Sequence, residues 1–193
     1  MKIAAWNANG LSQLAQEIKT FNIDILLVSK THFTNRSYIT VPNYSIYYTN
    51  HTDEIAHRGT AVIIKQNIKY YVRAEYRHEN IHVTRIAIED NTGETTVSAI
   101  YCPPIHNKYD DYDRLFKTLG NGFIAGGDYN AKNTSWGSRL TTTKGRELHK
   151  FMQNNNLKFN KTAHLWPSDP NKIRDLVDFC VTKGTDTKKF TVD

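Results

Sequence analysis

The stretch Phe123-Ile-Ala-Gly-Gly-Asp128-Tyr-Asn130 constrains this chain more than any other. A short apolar run of this kind reads as a buried strand. Residues two apart in a strand share a face, so Asp128 and Asn130 are expected to point the same way at its end. The paired glycines permit close backbone approach, as a site for a bulky anion requires. One side chain is a base or metal ligand and the other a neutral donor and acceptor, a combination suited to phosphodiester chemistry. The plainer reading is a strand followed by an Asp-Tyr-Asn turn.

The rest of the chain repeats the pattern. Strands are expected at Lys2–Asn7, Asp24–Val28, Tyr44–Tyr48, Thr60–Lys65, Tyr70–Tyr76, Ile81–Glu89, Thr95–Tyr101 and Leu176–Thr182, with a hairpin turn at Asn91-Thr-Gly93. Helices are expected at Leu11–Phe21, at Tyr109–Leu119 after Pro103-Pro104, and from Thr143 to about Asn155 with Glu147 as a first-turn acid. Many strands with few helices between them predict an α/β sandwich, two sheets face to face with helices outside. There is no linker, repeat or low-complexity tract, so one domain over residues 1–193 is expected.

Strand after strand closes on a polar residue. Asn7 and Asn9 end the first and share a face, although asparagines before a glycine are also common punctuation. Lys30 follows the second strand as a phosphate contact or a solvated end. Tyr101 closes a third, where it can donate to a phosphate oxygen or merely cap the core. Asp178 lies inside an apolar run, where an unpaired carboxylate is costly, so it needs a partner. A histidine or a metal would serve a function there, and a buried hydroxyl or an arginine would serve structure.

Composition adds bounds. The chain is 39% hydrophobic and 23% charged, ordinary globular material, and no apolar run is long enough to span a bilayer. Cys102 and Cys180 are expected as buried thiols of an intracellular protein, in the nucleus or cytoplasm. A net charge of +6, with local clusters at Lys144/Arg146/Lys150 and Lys183/Lys188/Lys189, favours a polyanionic partner.

The order of these blocks resembles the exonuclease-endonuclease-phosphatase superfamily, and within it the apurinic-endonuclease-like domain of jockey-type non-LTR retrotransposons. The likeness runs through Trp-Asn-Ala-Asn-Gly at 6–10, Leu-Leu-Val-Ser-x-Thr-His-Phe at 26–33, Arg-Gly-Thr-Ala-Val-Ile-Ile at 58–64 and Tyr-Cys-Pro-Pro at 101–104. It continues in Gly-Gly-Asp-Tyr-Asn-Ala-Lys with Trp-Gly-Ser at 126–138, Thr-Lys-Gly-Arg-Glu-Leu at 143–148, Trp-Pro-Ser-Asp-Pro at 166–170 and Asp-Leu-Val-Asp-Phe at 175–179.

The resemblance implies a domain that nicks target DNA with Mg²⁺ to prime reverse transcription, beside the reverse transcriptase of the same polyprotein. Asn7 would orient the site, Tyr101 would contact the scissile phosphate and Asn130 would hold it. Asp128 would position or deprotonate water, and Asp178 would orient a catalytic histidine. Two departures set this chain apart. Lys30 stands where the family's metal-binding glutamate stands, and a charged lysine offers no lone pair, leaving Asn9 as a weak ligand. The chain also stops before the family's Ser-Asp-His block and the strand that follows it. The expectation is therefore a domain with impaired catalysis, binding DNA through Lys30, Tyr101 and Asn130. The alternative is a truncated or domesticated protein that binds DNA or RNA without cutting. An open sheet edge along Lys2–Trp6, prone to self-association, is expected as well.

Overall fold

The computed structural model describes residues 1–8, 18, 20–34, 39–50, 58–74, 76–78, 80–90, 93–105, 107–161, 175–185 and 191–192. Two sheets pack face to face. The first contains β1 (Lys2–Asn7), β2 (Ile25–Ser29), β3 (Tyr44–Thr49), β4 (Thr60–Lys65) and β12 (Thr191–Val192), in the order β12-β1-β2-β4-β3. The second runs β10 (Lys158–Lys161), β11 (Asp178–Lys183), β9 (Phe123–Asp128), β8 (Gly93–Tyr101), β7 (Ile81–Asp90) and β5 (Tyr70–Val72), with β6 (Tyr76–His78) also on β7. Helices α1 (Tyr109–Lys117) and α2 (Thr143–Asn154) cover the second sheet's outer face. This is the sandwich expected from the sequence. No described helix is long and apolar enough to cross a membrane.

The two-residue period of a strand sorts each one into two faces. Ile25 and Leu27 of β2 join Ile3, Val62, Ile64, Ile86, Ile88, Val97, Ala99, Ile124 and Cys180 between the sheets, while Leu26 and Val28 face the outer cluster around Trp6 and Ile18. A strand buried on both faces reads as one continuous apolar run, which is why β2 does. Beneath the helices, Tyr112, Phe116, Phe123, Phe151 and Phe179 build a third apolar layer.

The two glycines of β9 have a packing role, which corrects the reading of them as room for a ligand. A Cβ on Gly126 would lie 2.6 Å from Cys180 Sγ and 2.9 Å from Leu27 Cδ1, between the sheets. At Gly127, with φ +146°, it would lie 1.9 Å from the Ile100 carbonyl oxygen. A side chain at Gly126 would have to push the packed Cys180 and Leu27 side chains aside, and one at Gly127 would have to move the β8 backbone.

Other expectations also change. The strand expected over Tyr70–Tyr76 is two short strands, β5 and β6, and β10 and β12 add strands that the sequence pattern did not signal. Glu147 does not serve the first turn of its own helix; it accepts the Tyr109 backbone N–H at 3.2 Å, at the start of α1. The edge beside β1 is not open along its whole length, because β12 pairs with it in parallel at Lys2 and Ile3. Both cysteines are buried free thiols, and burial pushes each up to about 12. The helix expected at Leu11–Phe21 lies mostly outside the described residues, as do Asn9 and residues 91–92 of the expected hairpin turn.

Candidate functional site

Strand register carries the inter-sheet face to one polar end. In the first sheet Asn7 pairs with Ser29, Ser29 with Thr60, and Thr60 with Thr49. In the second, Asp178 pairs with Asp128, Asp128 with Tyr101, and Tyr101 with His82. Each of these residues lies an even number of positions from the apolar residues of its own strand that fill the inter-sheet core. Two rows of polar side chains therefore face each other where that core ends.

Asp128 is the hub. It is fully buried. Its Oδ2 accepts from Asn7 Nδ2 at 3.1 Å and lies 2.8 Å from Lys30 Nζ, while its Oδ1 accepts the Asn130 backbone N–H at 2.8 Å. Asn7 also hydrogen-bonds the Asp178 carboxyl. The Lys30 ammonium lies 5.7 Å from the centre of the Tyr101 ring, and the Tyr101 ring stacks on His82 at 5.9 Å. Asn7, Lys30, Tyr101, Asp128, Asn130 and Asp178, far apart in sequence, are thus brought together.

The charges act on one another. Burial works against the Lys30 ammonium, but the hydrogen bond and charge of Asp128, helped by Tyr101 and Asp178, outweigh it and raise its pKa. Burial, then the charge of Asp128, pushes the Asp178 carboxyl up to about 7, although Lys30 and Asn7 pull the other way. Burial chiefly raises the Tyr101 phenol, with Lys30 and Arg58 opposing, so it remains a hydrogen-bond donor at neutral pH.

Several participants carried no sequence signal of their own. Lys144 belongs to one of the local basic clusters of the sequence, yet it is only 5% exposed. Its ammonium donates to the Pro103 carbonyl at 2.6 Å and the Cys102 carbonyl at 3.3 Å. Asn130 Nδ2 reaches the same Cys102 carbonyl at 3.1 Å, so one turn joins the buried lysine to the loop after Asp128. Asn130 itself is left-handed, with φ +47°, a conformation that asparagine tolerates better than most residues. Thr84 bonds Thr60 at 2.8 Å and Thr49 at 3.0 Å, tying the two sheets together beside the site. The threonines would pass for ordinary strand residues in any sequence. The Thr-Lys-Gly run that starts α2 was the one available hint for Lys144.

A hard dication does not fit these side chains. Both Asp128 oxygens are engaged, and an ammonium occupies the space in front of one of them. Among the described residues, no group of three His, Cys, Asp or Glu could hold a metal. Asn7 Oδ1 is enclosed and has no hydrogen-bond partner among them, but one neutral oxygen is far short of the shell that Mg²⁺ requires.

The family model described as endonuclease-reverse transcriptase matches residues 95–192. The RNA-directed DNA polymerase from mobile element jockey of Drosophila melanogaster is 31% identical over 95% of this chain. The probable RNA-directed DNA polymerase from transposon BS, from the same organism, is 26% identical over 95% of it. In both cases the chain spans 21% of the relative's length. Among solved structures, the endonuclease domain of TRAS1, a telomere-specific non-LTR retrotransposon, superposes with a TM-score of 0.68 at 18% identity, covering 93% of this chain and 84% of that one. The AP endonuclease LMAP from Leishmania major gives 0.69 at 12% identity, covering 93% and 78%. At these identities the structural likeness speaks to the fold.

Proposed function

The chain belongs to the endonuclease-reverse transcriptase family, and from that premise we propose that its polar rim is a phosphodiester site for DNA, with impaired hydrolysis. The carrying observation is the meeting of Lys30 with Asp128 at 2.8 Å among six polar residues from distant parts of the chain. Lys30, partly accessible, is the donor to phosphate oxygens, with the Tyr101 phenol beside it. Asn130 and Asn7 hold Asp128 in place rather than reaching outward. Asp178 is the carboxyl able to exchange a proton near neutral pH.

Family members that hydrolyse phosphodiesters use a divalent metal to activate water and stabilise developing charge. The residues here do not fit that metal, and an ion-paired, triply bonded Asp128 is a poor base. Each contribution of this kind typically supplies ~10²–10⁴-fold in rate. The domain therefore grips nucleic acid in the nucleus or cytoplasm, as part of a longer polyprotein with a reverse transcriptase. A second reading, a protein that binds DNA or RNA with no nicking role, draws on the same ion pair.

Supercoiled plasmid incubated with the chain and Mg²⁺ separates the two parts of the proposal. The expected result is retention of plasmid in a binding assay with negligible conversion to open circles. Nicking at the pace of an intact relative, abolished by Asp128→Ala, would overturn the impairment.

A further inference from the structure

We propose that the Lys30 ammonium is the resident cation of this site, so that the domain binds a nucleic-acid phosphate without any divalent metal. This rests on reading the polar rim as a phosphodiester site. Two carboxylates at its base, Asp128 and Asp178, repel a phosphate unless a positive charge stands in front of them. Here that charge is built into the chain.

The lysine is held for this task. It follows β2 in a left-handed conformation, φ +55°, and the next residue, Thr31, is buried, with its N–H directed at the Gly59 carbonyl at 3.4 Å. The side chain is therefore anchored at its base while 26% of it stays accessible. Of its three N–H donors, Asp128 takes one, at 2.8 Å. The Tyr101 ring flanks the ammonium at 5.7 Å, and its phenol, with its pKa raised by burial, keeps its proton at neutral pH. A phosphate oxygen meeting these groups forms charge-assisted bonds of the strong kind. A dication entering the same space meets an ammonium and has to displace three hydrogen-bond donors from Asp128.

The test uses the full chain, a short DNA duplex labelled for fluorescence anisotropy, and three proteins: wild type, Lys30→Gln and Lys30→Glu. Titrations run in chelator and in Mg²⁺ at matched ionic strength. Wild type is expected to bind equally well in both. Lys30→Gln is expected to lose about tenfold in both, the value of one charge-assisted contact. Lys30→Glu is expected to bind poorly in chelator and to recover when Mg²⁺ is added. Mn²⁺ broadening of side-chain NMR signals gives a reading free of DNA: absent at Asn7 and Asn130 in wild type, present in Lys30→Glu. Circular dichroism melts of both variants confirm that they fold.

Wild-type binding that disappears in chelator, or an unchanged affinity in folded Lys30→Gln, would overturn the resident cation while leaving the phosphodiester reading in place. Mn²⁺ broadening at Asn7 in the wild type would overturn it too. No DNA binding by any of the three proteins in either buffer overturns the phosphodiester reading itself, and the inference with it.

Discussion

Asp178 experiences opposing influences that make its titration a local reporter. Burial and the neighbouring Asp128 raise its pKa from the ordinary 3.8 to about 7. The native state therefore binds this proton more tightly than the unfolded chain does. Between those two values the native state holds the proton and the unfolded state does not, so this residue's contribution to stability falls as pH rises from 3.8 to about 7. Above that window the loss is complete. Asp178→Asn, fixed in the neutral form, is expected to be more stable than wild type at pH 8 and close to it at pH 4, as denaturant melts at the two values will measure. A wild-type advantage at pH 8 would show that the carboxylate is welcome where it stands. Lys144 makes a second residue-scale case. Lys144→Met keeps most of the buried stem but leaves the Pro103 and Cys102 carbonyls with one donor fewer. The expected cost is about 1–3 kcal/mol in a urea titration. Its burial was not legible in the sequence, because a lysine looks alike on a surface and under a turn. The distinction lies in long-range packing between α2 and the chain after β8.

Elements show where sequence pattern suffices and where it fails. The two-residue period placed Asn7 and Asp128 at strand ends, while Asp178, expected inside Leu176–Thr182, opens β11 instead; register did the rest, since a strand slipped by one residue would turn each of them away from the inter-sheet face. The same local signal misread the glycines of β9, whose constraint comes from Cys180, Leu27 and Ile100 on other strands. It also ran Tyr70–Tyr76 together, because Arg73 and Ala74 carry no turn chemistry of their own. β10 reads Lys-Phe-Asn-Lys and β12 only Thr-Val, both too short or too polar to announce themselves. Gly127→Ala tests the element scale. A methyl group driven into the Ile100 carbonyl forces β8 and β9 apart where Tyr101 and Asp128 are aligned. A loss of at least about 3 kcal/mol, or failure to fold, is expected. A variant melting within a few degrees of wild type would mean the strands yield more easily than the geometry implies.

For the whole molecule, the net charge of +6 has meaning only through where the charges lie. Much of the described charge is spent locally. Lys65 pairs with Asp24, Lys69 with Glu89, Lys117 with Asp113, and both Lys132 and Arg139 with Asp175, which those two cations hold well below the usual carboxylate range. The exposed ones, such as Lys69 with Glu89, add little stability, and charges paired in this way leave little field at a distance. Lys30 differs: its one carboxylate partner is fully buried, and the lysine opens onto solvent at the polar rim. DNA affinity should therefore depend on a few phosphate contacts, and the logarithm of the binding constant should fall with the logarithm of salt by about 0.9 for each. Titrations from low to physiological salt will give that slope for wild type and for Lys30→Gln. The variant's line is expected to be shallower by about one contact, because the missing ammonium no longer releases its share of counterions. A Lys65→Gln control, at a pair remote from the rim, should leave the slope unchanged. Equal slopes for wild type and Lys30→Gln would mean that DNA is held by the general surface, and that the charge at the mouth of the sandwich serves only to balance Asp128.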